Sequence, residues 1–369
     1  MLLKTVLGFV ATAAAAQLAA IDHIKALVTR EHLQAGTERI SNRDFNAIKF
    51  YSQHAAAAYC NFNAVPGTRI TCGNNACPLV MRNKPVVLAS AIGNAHGVGA
   101  YVAVDYVRRE IVLSFRGSNN IRNFIADLAF AWSDCNLTQG CKLHTGFAQA
   151  WYDISDAITR AVRSARSSNP NFKIVATGHS LGAAIATLSA AYLRRDGLAV
   201  DLYTYGSPRV GNKNFVTWFL TQRGVQWRAT NGDDPIPRLP PLVFGYNHIS
   251  PELWLPGGDV QTVWQPSTTA ICKGVDNTDC NGSGLSPDPW AHRNYFGNVD
   301  ACAGSSLTLR DAQPTNNLPE DLINRLTAWS RQDRQLSGSL GHHGDVEFFL
   351  EPLDESPASA PEKHEYTIV

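Results

Sequence analysis

The stretch FKIVATGHSLGAAIATLSAAYLRR, Phe172 to Arg195, limits what this chain can fold into more than any other. Its apolar, β-branched opening reads as a buried strand that stops at Gly178, and a helix-forming run starts at Leu181. The backbone must therefore pass from strand to helix around Ser180. A turn that tight forces its central residue into a strained conformation, and side chains two positions to either side would collide; Gly178 and Gly182 stand there. The strain lifts the Ser180 hydroxyl clear of the sheet edge, where the first N–H groups of the helix also point. G-x-S-x-G alone is common by chance. With a strand before it and a helix after it, Ser180 becomes a candidate nucleophile.

The flanking sequence repeats the same alternation. DFNAIKFYSQHAAAAY reads as a helix; PVVLASAI, AYVAVDYV and EIVLSF read as strands. In GFAQAWYDISDAITRAVRSARS, Phe147, Trp151, Ile154, Ile158 and Val162 recur every three or four residues, the stripe of an amphipathic helix. DLYTYG, NKNFVTWFLTQ and QWRAT continue as strand, helix, strand. Strands alternating with helices predict an α/β fold: a mostly parallel central sheet with helices on both faces, over about residues 40–302.

The start of the chain is an address. MLLKTVLGFVATAAAAQLAA has one lysine, an apolar centre too short for a good membrane span, and A-x-A-like cleavage sites near its end, so residues 1–20 read as a secretory signal peptide. Residues 21–39 are polar with several basic residues and suit a removable pro-segment. Export to an oxidising compartment accounts for the even count of eight cysteines. By spacing, Cys72 with Cys77, Cys135 with Cys141 and Cys272 with Cys280 would each close a short loop, leaving Cys60 with Cys302. A bridge that long removes roughly 5 kcal/mol of denatured-state entropy in the chain-entropy model. Asn136 in NLT and Asn281 in NGS are N-glycosylation acceptors by pattern. Residues 303–369 lack cysteine. Leu322, Ile323, Leu326 and Trp329 would line one short helix there, and the proline- and serine-rich acidic end predicts a largely disordered, solvated appendage.

Several function classes are excluded. A net charge of +1 argues against electrostatic capture of nucleic acid or anionic membrane. No C-x-x-C pair, P-loop or zinc-finger spacing occurs, and GNAHGVGAYV lacks the third glycine of a dinucleotide fingerprint. No metal or organic cofactor is implied, nor a transmembrane anchor, and a monomer is the default.

A serine hydroxyl needs a base and a group that orients the base. On this fold class they follow in the order serine, acid, histidine. RATNGDDPIPRLPP supplies the acid: a strand ends, then Asp233 and Asp234 arrive in a turn stiffened by prolines, and pattern alone does not choose between them. Later histidines are His248, His292, His342, His343 and His364; the last three sit in the tail, whereas His292 lies ten residues before Cys302.

TGHSLGAAIATL, YTYGSPRVGN, DDPIPRLPP, FGYNHISPELW and WAHRNYFG, in order between about Arg39 and Cys302, together resemble the filamentous-fungal lipases, the class 3 α/β-hydrolases, a family that includes triacylglycerol lipases and a feruloyl esterase branch. The resemblance selects Asp234 over Asp233 and maps the histidine onto His292. It also implies three bridges, Cys60–Cys302, Cys72–Cys77 and Cys135–Cys141. Cys272 with Cys280 and the tail are departures, since members of the family usually end near Cys302.

The implied chemistry is acyl transfer. Ser180 attacks an ester carbonyl, His292 takes and returns the proton, and Asp234 holds the imidazole. The oxyanion donors are the Leu181 N–H and, in SFRGSNN, Ser118, which would otherwise read as a helix N-cap. Ile121, Phe124, Ile125 and Leu128 fall at helical spacing in NIRNFIADLAF. Alone such a stripe reads as core; the resemblance makes it a lid, and its apolar character favours a triacylglycerol lipase in transient contact with a lipid–water interface over a feruloyl or short-chain esterase. A binding protein that has lost its chemistry is the remaining alternative, and the full set of triad residues speaks against it.

Overall fold

The computed structural model of the chain describes residues 39–93, 97–118, 124–125, 128–259, 261, 263–303 and 318–339. The signal peptide, nearly all of the pro-segment, Ile121, His342, His343 and His364 lie outside the described residues.

The first described helix, α1 (Asn42–Asn61), is capped by Ser41, whose hydroxyl accepts the Asp44 amide proton. A single-turn helix, α2 (Pro78–Asn83), precedes three antiparallel strands, β1 (Val86–Ile92), β2 (Gly99–Asp105) and β3 (Glu110–Phe115). Next come two short strands, β4 (Trp132–Asp134) and β5 (Lys142–His144), and a long helix, α3 (Thr145–Ser168). The serine motif follows as β6 (Lys173–His179) and α4 (Leu181–Arg195). Beyond it lie β7 (Val200–Tyr205), β8 (Gly211–Asn212), α5 (Lys213–Leu220), β9 (Gln226–Asn231), β10 (Tyr246–Asn247), β11 (Glu252–Leu255) and β12 (Ala270–Cys272). The main sheet has the order β1-β2-β3-β6-β7-β9-β11-β12. It is parallel from β3 through β11 and antiparallel at both ends. The short strands β10, β8, β5 and β4 form a second, antiparallel sheet that hydrophobic periodicity does not reveal, because two- and three-residue strands are too short to show a period.

Alternation along β6 sets the layers. Ile174 and Ala176 face one core with α3 and α4, and Val175 faces the other with α1. The helix stripe Phe147, Trp151, Ile154, Ile158, Val162 is buried as its spacing predicts. Helix α4 is buried on nearly all sides, which explains its alanines: small side chains let it lie close against the sheet. Disulfides join Cys60–Cys302, Cys72–Cys77, Cys135–Cys141 and Cys272–Cys280. The first of these fastens the end of α1 to the segment that follows His292.

The tail departs from the sequence expectation. The helix expected around Leu322 and Trp329 is present and longer, α6 (Glu320–Ser339), and it is docked on the rest of the fold rather than solvated; residues 340–369 lie outside the described residues. Leu318, Leu322 and Leu326 are buried in one cluster with Ile125, Ile236 and Leu239. Further along, Asp333 enters the protein: its Oδ2 accepts the Leu242 amide at 2.8 Å and Arg209 at 2.9 Å, and its Oδ1 accepts the Val243 amide at 3.0 Å. Both partners of the ion pair are 5% exposed. The helix and its stripe of Leu322, Ile323, Leu326 and Trp329 are as the sequence spacing predicts; what the sequence did not show is the docking, which also needs the buried Asp333 carboxylate. Replacing Asp333 by alanine strands Arg209 in the interior. Urea unfolding of Asp333→Ala is expected to show a loss of about 3–5 kcal/mol, against less than about 0.5 kcal/mol for Asp321→Ala at an exposed position of the same helix.

Candidate active site

The turn between β6 and α4 is as strained as its sequence demands. Ser180 has φ 58° and ψ −129°, a region that costs a non-glycine residue about 1–3 kcal/mol. Packing holds it there. A Cβ on Gly178 would overlap the Gly182 carbonyl, and one on Gly182 would overlap the Phe115 carbonyl at the end of β3. The Ser180 amide donates to the Tyr205 carbonyl at 2.9 Å, which pins the turn to β7. As the first residue of α4, Leu181 has no intrahelical acceptor for its N–H. The loop after β3 crosses beside the serine: a Cβ on Gly117 would lie 3.2 Å from the Ser180 Cβ, and half-buried Ser118 is the next residue.

Asp234 arrives three residues after β9, in a turn closed by its own amide on the Asn231 carbonyl at 3.0 Å. Its carboxylate is fully buried and takes three donors. Oδ1 accepts the Ile236 amide at 2.9 Å; Oδ2 accepts His292 Nδ1 at 2.8 Å and the Tyr295 hydroxyl at 2.6 Å. A carboxylate only accepts, so Nδ1 carries the imidazole proton and Nε2 is left as the base. Asp233 points elsewhere, to Arg238 at 2.9 Å. His248 is buried with its Nε2 on the Pro237 carbonyl at 2.6 Å, away from the serine.

Three supporting residues were not singled out from the sequence. Burial, and secondarily the Asp234 charge, push the Tyr295 phenol well above its ordinary pKa, so it remains a donor to that carboxylate. Gly206, at φ +56°, leaves room for the pair: a Cβ there would come within 2.8 Å of His292 Nδ1 and 2.9 Å of Asp234 Oδ2. His179, the residue before the nucleophile, spans to the histidine loop. Its Nε2 donates to the His292 carbonyl at 2.6 Å, which makes Nδ1 the acceptor of the Tyr59 hydroxyl at 2.8 Å. Burial holds His179 well below its ordinary pKa, so it braces that loop as a neutral ring. WAHRNYFG contains Tyr295, but no periodicity marks it, and nothing local to Tyr59 points across more than a hundred residues to His179.

Ser180 and His292 are each 0% exposed, and Ser180 Oγ and His292 Nε2 have no hydrogen-bond partner among the described residues. Both side chains are thus closed off from bulk water. Phe124 lies beside Phe147, ring centroids 6.3 Å apart, and Ile125 is buried against Ile236 and Leu239; Ile121 is outside the described residues. Asn281 requires a correction. It is not an open glycan acceptor: it is 2% exposed, and its Nδ2 donates to the carbonyls of Gly232 and Asp234, both at 3.0 Å. A sugar on that nitrogen would remove one of these bonds and has no room, whereas Asn136 is exposed. Among the described residues the cluster with metal-ligating spacing, Cys60, Cys72 and Cys302, is consumed in disulfides.

Tyr295→Phe removes one donor from Asp234 and leaves the fold's packing intact. One Asp234 oxygen then loses a donor in the interior and orients the imidazole less firmly, so kcat for ester hydrolysis is expected to fall roughly tenfold with KM little changed. Initial rates on a soluble ester over a range of substrate concentrations read both constants.

Comparison with known proteins accords with this geometry. Residues 112–244 match the family described as lipase (class 3). The chain is 44% identical to the secreted mono- and diacylglycerol lipase 1 of Fusarium solani over 335 residues, covering 91% of this chain and 98% of that one. It is 30% identical to a lipase of Rhizomucor miehei, over 77% of this chain and 78% of the other. Among solved structures, the mono- and diacylglycerol lipase from Aspergillus oryzae superposes with a TM-score of 0.66 at 37% identity, over 69% of this chain and 97% of that one. With the strained serine corner and the buried His292–Asp234 pair on an α/β-hydrolase sheet, and 44% identity to a secreted fungal lipase over 91% of its length, the chain belongs to the class 3 lipases.

Proposed function

We propose that this chain is a secreted lipase that hydrolyses acylglycerols at lipid–water surfaces, with Ser180, His292 and Asp234 as its triad. The observation that carries the reading is the closed site: Ser180 and His292 have no solvent access, and Phe124 and Ile125, which this reading places in the cover, pack against Phe147, Ile236 and Leu239. An enzyme for soluble esters gains nothing from such a cover. One for lipid does, because an apolar cover leaves the serine when lipid offers it an equivalent contact. The Fusarium and Penicillium relatives are named for mono- and diacylglycerols, so partial glycerides belong in the substrate range beside triacylglycerols.

Once the cover moves, Ser180 Oγ attacks the ester carbonyl as its proton passes to His292 Nε2. The Asp234 carboxylate stabilises the imidazolium through Nδ1–H. The Leu181 N–H and Ser118 face the developing oxyanion, each donor contributing about 3–4 kcal/mol of barrier lowering. His292 then protonates the departing alcohol, and water releases the acid by the reverse sequence. Every group in this scheme comes from a single chain, which supports action as a monomer. Residues 1–20 serve as the export signal, 21–39 as a pro-segment and 40–302 as the catalytic body, and Asn136 is the glycan site. Among the described residues no helix is long and apolar enough to cross a membrane.

Rates on tributyrin raised through its solubility limit, on emulsified triolein and diolein, and on methyl ferulate test the reading. A jump at the solubility limit, absent from Ser180→Ala and reduced severalfold in Phe124→Asp, is the expected result. Good turnover of methyl ferulate without activity on emulsion would overturn it in favour of a soluble-ester esterase.

A further inference from the structure

Two buried side chains lie against the centre without taking part in the proton transfers. Tyr59 stands on the last turn of α1, and its hydroxyl meets His179 Nδ1 at 2.8 Å. His179 stands one residue before the nucleophile, and its Nε2 meets the His292 carbonyl at 2.6 Å. The phenol reaches a third segment as well. A Cβ on Gly117 would overlap the Tyr59 hydroxyl and come within 2.8 Å of the His179 carbonyl, so the loop that presents Ser118 is packed tightly on this pair. The Gly117 backbone also hydrogen-bonds the phenol oxygen.

Donors and acceptors allow one arrangement of these bonds. The His292 carbonyl only accepts, so His179 carries its proton on Nε2 and leaves a lone pair on Nδ1. Nδ1 therefore takes the Tyr59 hydroxyl proton, and the phenol oxygen accepts from the Gly117 N–H. The bonds run in one direction, from the oxyanion loop through Tyr59 and His179 to the backbone of the base. In a buried setting each polarises the next. The same end of α1 is tied down covalently: Cys60, the neighbour of Tyr59, is joined to Cys302, ten residues after His292.

We propose that Tyr59 is a positioning residue for acyl transfer: through Gly117 and His179 it sets the oxyanion loop, the serine corner and the base at fixed distances from one another. The proposal rests on the reading of Ser180, His292 and Asp234 as the triad. Tyr59 acts through its two partners rather than on the ester. Its loss therefore falls on the transition state, where the oxyanion and the imidazolium form together, and appears in kcat rather than in KM.

The test uses the full-length chain and p-nitrophenyl butyrate below its solubility limit. Tyr59→Phe keeps the ring and removes the hydroxyl; kcat is expected to fall about thirtyfold, with KM changed by less than about twofold. Butyl trifluoromethyl ketone probes the oxyanion loop directly. Ser180 Oγ adds to its carbonyl carbon, the serine proton passes to His292 Nε2, and the ketone oxygen becomes the oxyanion; its affinity is expected to weaken by about the same factor. His179→Phe breaks the same chain, so the double variant Tyr59→Phe/His179→Phe is expected to be no slower than the slower single one. His179→Gln keeps a donor for the His292 carbonyl and loses less than His179→Phe; that order in kcat decides the matter should Tyr59→Phe not fold. Parental kcat and ketone affinity in folded Tyr59→Phe would overturn the proposal, as would losses confined to KM and melting temperature, or losses that multiply in the double variant. A parent that no fluorophosphonate labels, with or without lipid, would overturn the triad reading instead.

Discussion

Asp234 is the constraint around which the centre is organised. A carboxylate that is fully buried costs several kcal/mol unless its oxygens are satisfied, and here three donors from two distant segments meet it: the Ile236 amide, His292 Nδ1 and the Tyr295 hydroxyl. That requirement brings residues 234–236 and 292–295 together. Asn281 then holds the acid's turn from outside, through the Gly232 and Asp234 carbonyls. The same demand fixes the tautomer of His292, because an acceptor-only partner leaves the proton on Nδ1 and the lone pair on Nε2.

The serine is positioned by a separate device. Its strained backbone is held by steric exclusion, with Gly178 and Gly182 allowing the turn to sit against its own helix and against β3. His179 links the two devices: one residue before the nucleophile, it donates to the carbonyl of His292. Tight packing at the serine and charge compensation at the acid therefore act on one rigid unit. Phe124 and Ile125 are held differently: their described contacts, with Phe147, Ile236 and Leu239, are apolar, the kind of interaction that a change of solvent from water to lipid alters most.

Much of this was legible in one dimension. The strand–serine–helix corner, the alternation that builds a parallel sheet and the stripe of α3 are local patterns, since each depends on residues within about a dozen positions of one another. The choice of Asp234 over Asp233 was not local; it needed the family resemblance, and in three dimensions it reflects that Asp233 is taken by Arg238. In the tail the helix carrying Leu322 and Leu326 was legible, but its docking was not, because that depends on distant partners: Ile125, Ile236 and Leu239 for the leucines, and Arg209 for Asp333. Asn281 was misread. Its triplet matches a glycan acceptor, but burial against residues some fifty positions earlier uses its amide for the fold.

The amino-acid order by itself determined the layers of the fold, the strained corner at Ser180 and the residue types its chemistry requires, because backbone sterics and hydrophobic period act between near neighbours. Tertiary structure alone decided which partners those residues have. Tyr295 on Asp234, His179 beneath His292 and helix α6 against Ile125 are contacts between distant segments, and each is selected by what must be satisfied or covered once the chain has closed on itself.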